Sequence, residues 1–337
     1  MRALKAFISV LLLSGCVTVA EHAKPGALPI IDTHGHLNRD ITAERLISEM
    51  DGVGVKAMVL MARYYKGRAG GGGSDEQALA YAAKYPGRFI PFIAGQRPGL
   101  ANRNQSLWRG THPFFENFLK RMAAKAASGK YHGMGEYIMY HHAYELTGWG
   151  QTGGKHDVDM PVDSPLMHRL ADIGATHHLP VLIHLEGEPE KLAAMTRLLE
   201  KKPDTRIIWT HSCGRSAAET IRTLLSRFPN LICGLGGMMG QKRPVGYGAY
   251  WPRWTKWIHL IEDGSGRLFP QMRQLYEDFP NRFTIGTDPA HTPALKSYQA
   301  RITRFRLLLS QLTPKTARRL AYQNAQDIFG LKPVVGN

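Results

Sequence analysis

The chain has 337 residues, 43% hydrophobic and 21% charged, the balance of a globular protein with an ample core, which excludes disorder on the large scale. Its formal net charge of +16 suits anionic membranes, nucleic acid or acidic substrates without singling one out. Basic residues such as Lys120, Arg121, Lys201, Lys202, Arg304 and Arg306 are scattered over expected helices. No nucleic-acid-binding module is recognisable, so no specific nucleic-acid partner is expected and the charge reads as a solvated basic surface.

Arg2 and Lys5 precede a short apolar run, 7–13, and Leu13-Ser14-Gly15-Cys16 follows, the shape of a cleavable export signal. Small residues running directly into a cysteine resemble the lipobox of bacterial lipoproteins, with an ordinary secretory signal as the alternative. That resemblance makes 1–16 a signal peptide with Cys16 as the lipidation site, 17–27 a tether, and 28–337 a single domain. It implies an exported, lipid-anchored protein facing the periplasm, and Val17 after the cysteine leans towards the outer membrane. Removing 1–16 leaves a net charge near +14. Nothing later supplies the roughly 20 apolar residues needed to span a bilayer. Cys213 and Cys233 remain, either one disulfide in an oxidising compartment or two separate buried thiols.

The segment LPIIDTHGHLN, 28–38, opens on a buried strand. Residues i and i+2 of a strand share a face, so His34 and His36 point together, and Gly35 keeps the rings from crowding. Such a pair suits a borderline metal such as zinc; two surface histidines in a turn would look the same in isolation. Residues 41–50 carry apolar side chains at helical spacing, and 55–61 reads as a second strand. The loop 63–73 ends in four glycines but lacks the lysine ending of a P-loop, and it reads as a rim loop. Ser74-Asp75-Glu76-Gln77 opens a helix as a capping box. A third strand, 88–94, a helix, 113–127, and a fourth strand, 131–140, with Glu136 in its middle, follow.

After an excursion over 141–163, Ser164-Pro165 starts a helix that ends near residue 177. Strands 179–185 and 206–210 end at His184 and His211, a seventh strand covers 231–235, and helices 189–201 and 216–228 lie between them. A second excursion, 236–267, carries Tyr247, Tyr250, Trp251, Trp254 and Trp257. A helix over 271–278 leads to the last strand, 282–286, which runs into Asp288. Helical stretches 293–312 and 314–329 close the chain. Eight strands alternating with helices imply a parallel sheet, and in about 300 residues they fit an α/β fold of the (β/α)8 TIM-barrel kind with extended loops at the strand C-termini.

In such a barrel the strand C-termini face one bowl, and His34, His36, Glu136, His184, His211 and Asp288 all fall there. IIDTHGHLN, IHLE at His184, THSCG at His211, FTIGTDPAH at Asp288 and LAYQNAQDIFGL resemble the amidohydrolase superfamily, in its amidohydrolase-related branch. The resemblance implies one or two divalent metals, zinc first with manganese, iron or cobalt as alternatives, and puts His34, His36, His184 and Asp288 among the ligands. Two-metal relatives carry a bridging group on the fourth strand and a second histidine on the sixth, places that Glu136 and His211 fill here. Some one-metal relatives, decarboxylases among them, keep the sixth-strand histidine as a catalytic group.

The expected chemistry is a metal-activated water, with Asp288 taking and returning its proton and His211 either holding the second metal or stabilising an oxyanion. Asp32 is expected behind the ligands, orienting a ligand ring, and Glu186 at the rim or behind His184. Arg63, Arg97 and Arg215, each soon after a strand, are candidates to grip an anionic substrate. His141 and His142 face the mouth without an assigned role. The leading function is hydrolysis of a small-molecule ester, lactone, amide or phosphoester. The alternatives are decarboxylation of a small unsaturated or aromatic acid, and a non-catalytic metal-binding lipoprotein.

Overall fold

The structure is a computed structural model that describes residues 28–64, 66–67, 70–97, 100, 105–141, 158–238, 257–289 and 292–333. The expected signal peptide with Cys16, the tether, His142, Tyr247, Tyr250, Trp251 and Trp254 lie outside the described residues. Among the described residues no helix is long and apolar enough to cross a membrane.

Eight strand positions follow in chain order: β1 (Ile30–Asp32), β2 (Val55–Ala62), β3 (Phe89–Pro91, resumed at Ile93–Ala94), β4 (Met134–His141), β5 (Val181–Leu185), β6 (Ile207–Trp209), β7 (Leu231–Gly234) and β8 (Phe283–Thr284). Each pairs in parallel with the next. Pro91 has no N–H to offer a ladder, and β3 changes partner just past it. Phe92 N donates to Leu60 O on β2 (3.1 Å), whereas Ile93 N donates to Gly133 O ahead of β4 (2.9 Å). Thr33 N donates to Ile285 O (2.9 Å) and Asp288 N to His34 O (2.8 Å), joining the first strand to the last. The expected TIM barrel is the fold.

Alternation along the strands divides the core. Ile31, Val59, Met61, Ile90, Phe92, Leu182, Ile208 and Ile232 form an inner cluster with Phe329, while Ile30, Met58, Leu60, Ile183 and Ile207 pack outward beneath the helices. Both faces are buried, as in a parallel sheet covered by helices. The main helix after each strand is α1 (Ala43–Asp51), α2 (Asp75–Lys84), α3 (Phe115–Ala127), α4 (Pro165–Thr176), α5 (Pro189–Lys201), α6 (Ala218–Arg227), α7 (Pro270–Asp278) and α8 (Tyr298–Leu309) in turn. Ser74 caps α2 by accepting from Gln77 N, and Ser164 caps α4 from Met167 N. Thr42 caps α1, so that helix starts at Ala43 rather than at Ile41. The helix expected over 314–329 is interrupted by a π turn, Arg319–Gln323. There the buried Asn324 donates to Pro280 O and Phe283 O (2.8 and 2.7 Å), a tie to β8 that local periodicity does not announce.

Two sequence expectations resolve here. Cys213 and Cys233 form a disulfide, their Cα atoms 4.9 Å apart. The basic surface is only partly solvated: Arg306 is buried on the carbonyls of Leu28 and Val53 (2.8 and 2.6 Å), and Arg304 meets both carboxylate oxygens of Glu262 at 2.8 Å.

Candidate metal centre

Six side chains converge at the C-terminal ends of the strands. His34 and His36 leave β1 with their Nε2 atoms 3.3 Å apart. Asp288, past the end of β8, presents Oδ1 to both, 3.6 Å from His34 Nε2 and 3.3 Å from His36 Nε2. From β5 and β6 come His184 and His211, with His184 Nδ1 and His211 Nε2 2.8 Å apart. Glu136 of β4 stands between the two groups. Its Oε2 is 3.3 Å from His36 Nε2, and its Oε1 is 3.2 Å from His184 Nδ1, 3.6 Å from His211 Nε2 and 3.5 Å from His34 Nε2. All six are buried except Asp288, whose side chain is 22% exposed and forms the open side of the cluster.

The electrostatics follow from this crowding. Burial alone would lower the pKa of His36, but hydrogen bonds to Asp288 and Glu136 outweigh it and hold the imidazole at about 9. His184 reaches about 9 in the same way, against its burial, through Glu136 and Glu186. His211 goes the other way, pushed down to about 4 by burial and by the charges of Arg215 and His184. Its Nδ1 faces Gly236 O at 2.7 Å, so the ring is neutral, donates there, and turns a bare Nε2 inward. Burial works against ionisation of Glu136 and Asp288, yet the surrounding imidazoles hold both carboxyls well below the usual range.

Ring nitrogens turned on one another and on shared carboxylate oxygens, with His36 Nδ1 buried and without a partner among the described residues, make a set that protons or a cation must reconcile. Four imidazoles and two carboxylates are nitrogen and oxygen donors suited to a divalent ion such as zinc. They fall into two trios, each with ligand atoms within 4.8 Å of one another: His34, His36 and Asp288, and Glu136, His184 and His211. The residues fit a metal centre.

A family model described as amidohydrolase matches residues 113–331, the stretch that carries Glu136, His184, His211 and Asp288. The chain belongs to the amidohydrolase family. Among solved structures, an uncharacterised TIM-barrel protein from Bordetella bronchiseptica is similar at a TM-score of 0.56 with 15% identity over 90% of this chain and 99% of that one. A probable 2-pyrone-4,6-dicarboxylic acid hydrolase from Acinetobacter baumannii, solved with citric acid bound, gives 0.52 at 15% identity, covering 90% and 99% of the two chains. A 2,6-dihydroxybenzoate decarboxylase from Rhizobium gives 0.51 at 12% identity, covering 90% and 98%. At these identities the likeness is one of fold. No curated protein matches by sequence.

The groups behind these six side chains differ in part from the sequence expectation. Among the described residues Asp32 makes no hydrogen bond to a ligand ring. Its Oδ1 accepts from His34 N (3.1 Å) and Thr287 N (3.0 Å), and its Oδ2 from the Thr287 hydroxyl (2.5 Å), so it ties the backbone of β1 to the segment after β8. The three arginines expected at the substrate are engaged inside the protein, because buried guanidinium groups need acceptors. Arg63 Nε donates to Gln96 Oε1 (3.2 Å), and Gln96 Nε2 donates to Glu136 Oε2 (3.1 Å). Arg97 pairs with the buried Asp75 and lies over the Tyr64 ring at 4.2 Å. Arg215 pairs with Glu186, which also faces His184 Nε2 at 3.1 Å.

Gln96 is the residue that sequence reading missed; its position just past a strand, like that of the ligands, was the available signal. Glu186 sits behind His184, as expected, and His141, assigned no role, packs its ring 5.0 Å from that of His184.

The local backbone is also unusual. His211, Ser212, Cys213, Gly214 and Arg215 have φ of 54°, 54°, 51°, 72° and 60°, a left-handed turn straight out of β6. For each of the four residues other than glycine this conformation costs about 1–2 kcal/mol. Gly135 precedes Glu136 with φ of 136°, and a Cβ there would stand 2.5 Å from Leu182 O. A side chain at 135 would therefore move β4 away from β5 and take Glu136 with it.

Proposed function

We propose that this chain is a metal-dependent hydrolase that holds two divalent ions, zinc first among them, and cleaves an ester, lactone, amide or phosphoester of a small molecule. The observation that carries this reading is Glu136, which belongs to one trio with its Oε1 3.2 Å from His184 and reaches the other with its Oε2 3.3 Å from His36. A divalent ion in such a set supplies the positive charge that makes water acidic near neutral pH and polarises the oxygen of the bond under attack.

The protein's own groups take the remaining parts. Asp288 is ionised at neutral pH and is the most exposed of the six, so its carboxylate can accept the proton of the attacking water and return it to the leaving group. His211, neutral with Nδ1–H committed to Gly236 O, has no proton to give at Nε2. That favours a ligand role over oxyanion stabilisation. Glu186, held by Arg215, accepts from His184 Nε2 and keeps Nδ1 turned to Glu136, the arrangement in which a carboxylate behind a histidine fixes its ligating nitrogen.

The same reading has the chain exported and lipid-anchored through Cys16, with the domain facing the periplasm. The Cys213–Cys233 disulfide, of a kind that persists in oxidising compartments, supports export.

The test is elemental analysis of the purified protein beside a Glu136→Gln variant. Two ions per chain falling to about one in the variant is expected, with turnover lost. One ion, unchanged by the substitution, would raise decarboxylation level with hydrolysis. A metal-replete protein inert to esters, lactones, phosphoesters and carboxylic acids would point to a binding lipoprotein.

A further inference from the structure

The left-handed turn 211–215 holds more of the site than one histidine. His211 belongs to it, and Arg215 at its far end fixes Glu186, which faces His184 Nε2. Both histidines of the Glu136, His184 and His211 trio therefore depend on this turn, His211 directly and His184 through two ion-paired side chains. No residue of the turn belongs to the His34, His36 and Asp288 trio, whose backbone comes from β1 and the segment after β8.

A run of left-handed residues needs something outside itself to hold it, since only glycine adopts φ above zero without steric cost. Gly214 is the single glycine of the five. The turn's middle residue, Cys213, is bonded to Cys233 of β7, and His211 donates to Gly236 just beyond the same strand. Gly187 N adds a bond to Gly214 O (2.8 Å). The covalent link thus joins the centre of the turn to the strand that also fixes its first ring.

We propose that the Cys213–Cys233 disulfide is a positioning device for the metal centre: by clamping the left-handed turn, it makes the His184 and His211 half able to hold its ion, while the His34 and His36 half is independent of it. This rests on the two-ion reading above and adds that the two halves differ in their dependence on oxidation. Cleavage by a phosphine takes up two protons from water, gives two thiols, and leaves the phosphine as its oxide.

The experiment is a titration of the chelator-stripped full chain with Co(II), following its visible absorption and the bound stoichiometry. It compares the parent, the phosphine-reduced parent, Cys233→Ser, and Cys233→Ser combined with Ser212→Gly. The parent is expected to bind two ions. The reduced parent and Cys233→Ser should bind the first as the parent does and the second at least 10-fold more weakly. Ser212→Gly, by easing the left-handed conformation, should recover part of that loss; a purely stabilising disulfide predicts no such rescue.

Two ions bound with parental affinity in every form would overturn the proposal and leave the two-ion reading intact. Equal weakening of both ions without rescue would also overturn it, showing a link that supports the fold as a whole. A single ion in the oxidised parent would instead sink the two-ion reading, and the proposal with it.

Discussion

Gln96 is a neutral side chain placed between two charges. Its amide N–H₂ donates to Glu136 Oε2 while its carbonyl accepts from Arg63, so the glutamine can sit only one way round. That polarity holds the carboxylate plane with Oε2 towards His36 and Oε1 towards His184. Replacing Gln96 by leucine removes the donor and leaves the buried Arg63 Nε without its acceptor. We expect metal affinity to fall by about 10- to 100-fold, the usual effect of losing a group that orients a ligand. Global stability should fall by only about 1–3 kcal/mol. Competition with a chelator of known affinity measures the first and denaturant unfolding the second; unchanged metal affinity would remove Gln96 from the site's support. Asp32 shows the complementary case of a carboxylate that acts on backbone. Two amides and a hydroxyl converge on it although burial raises its pKa, and its work is to keep two chain ends in register.

One helix, α8, supports the site from behind Asp288. Arg301, on that helix, donates to Thr287 O (2.6 Å) and Asp288 O (2.9 Å). Asp288 has φ of 51°, a left-handed conformation that costs a non-glycine residue about 1–3 kcal/mol. The guanidinium holds the two carbonyls on either side of that kink, and Asp288 N is fixed in turn by His34 O. Arg301→Ala should therefore let Asp288 relax towards negative φ and withdraw its carboxylate from the histidines. The expected result is a drop in kcat of about 10-fold or more with little change in KM, as when a group that acts in the transition state is misplaced. A change confined to KM would instead place Arg301 among the substrate contacts.

At the scale of the whole molecule, the centre is assembled from strand ends on both sides of the barrel mouth. β1 and β8 supply one trio, β5 and β6 most of the other, and β4 supplies the carboxylate between them. The metal-free protein should reveal this through its pH dependence. His36 and His184 have folded pKa values of about 9 against an ordinary 6.5, so the folded chain binds their protons more tightly than the unfolded chain does. Their stabilisation is complete below pH 6.5 and is lost as pH rises through about 9. In chelator, the denaturant midpoint should fall across that interval. With metal bound the ligating nitrogens must be unprotonated, and the trend should flatten or reverse. A metal-free midpoint that stays level between pH 6.5 and 9 would refute the proton-held site.

Some of this was settled by sequence alone because the physics involved is local. Alternating strand and helix periods, proline and serine at helix starts, and a His-x-His at the end of a buried strand are all read within a few residues. In a parallel barrel every strand end faces the same bowl, so strand order alone was enough to bring His34, His36, Glu136, His184, His211 and Asp288 together. The tertiary structure decided what those groups touch. Asp32 meets Thr287 across 255 residues, the arginines turn inward to acids and an amide, and Cys213 joins Cys233 through a left-handed turn that no propensity favours. Such details depend on which distant segment supplies the acceptor for each buried donor, and that is a property of the packed molecule rather than of any stretch of the chain.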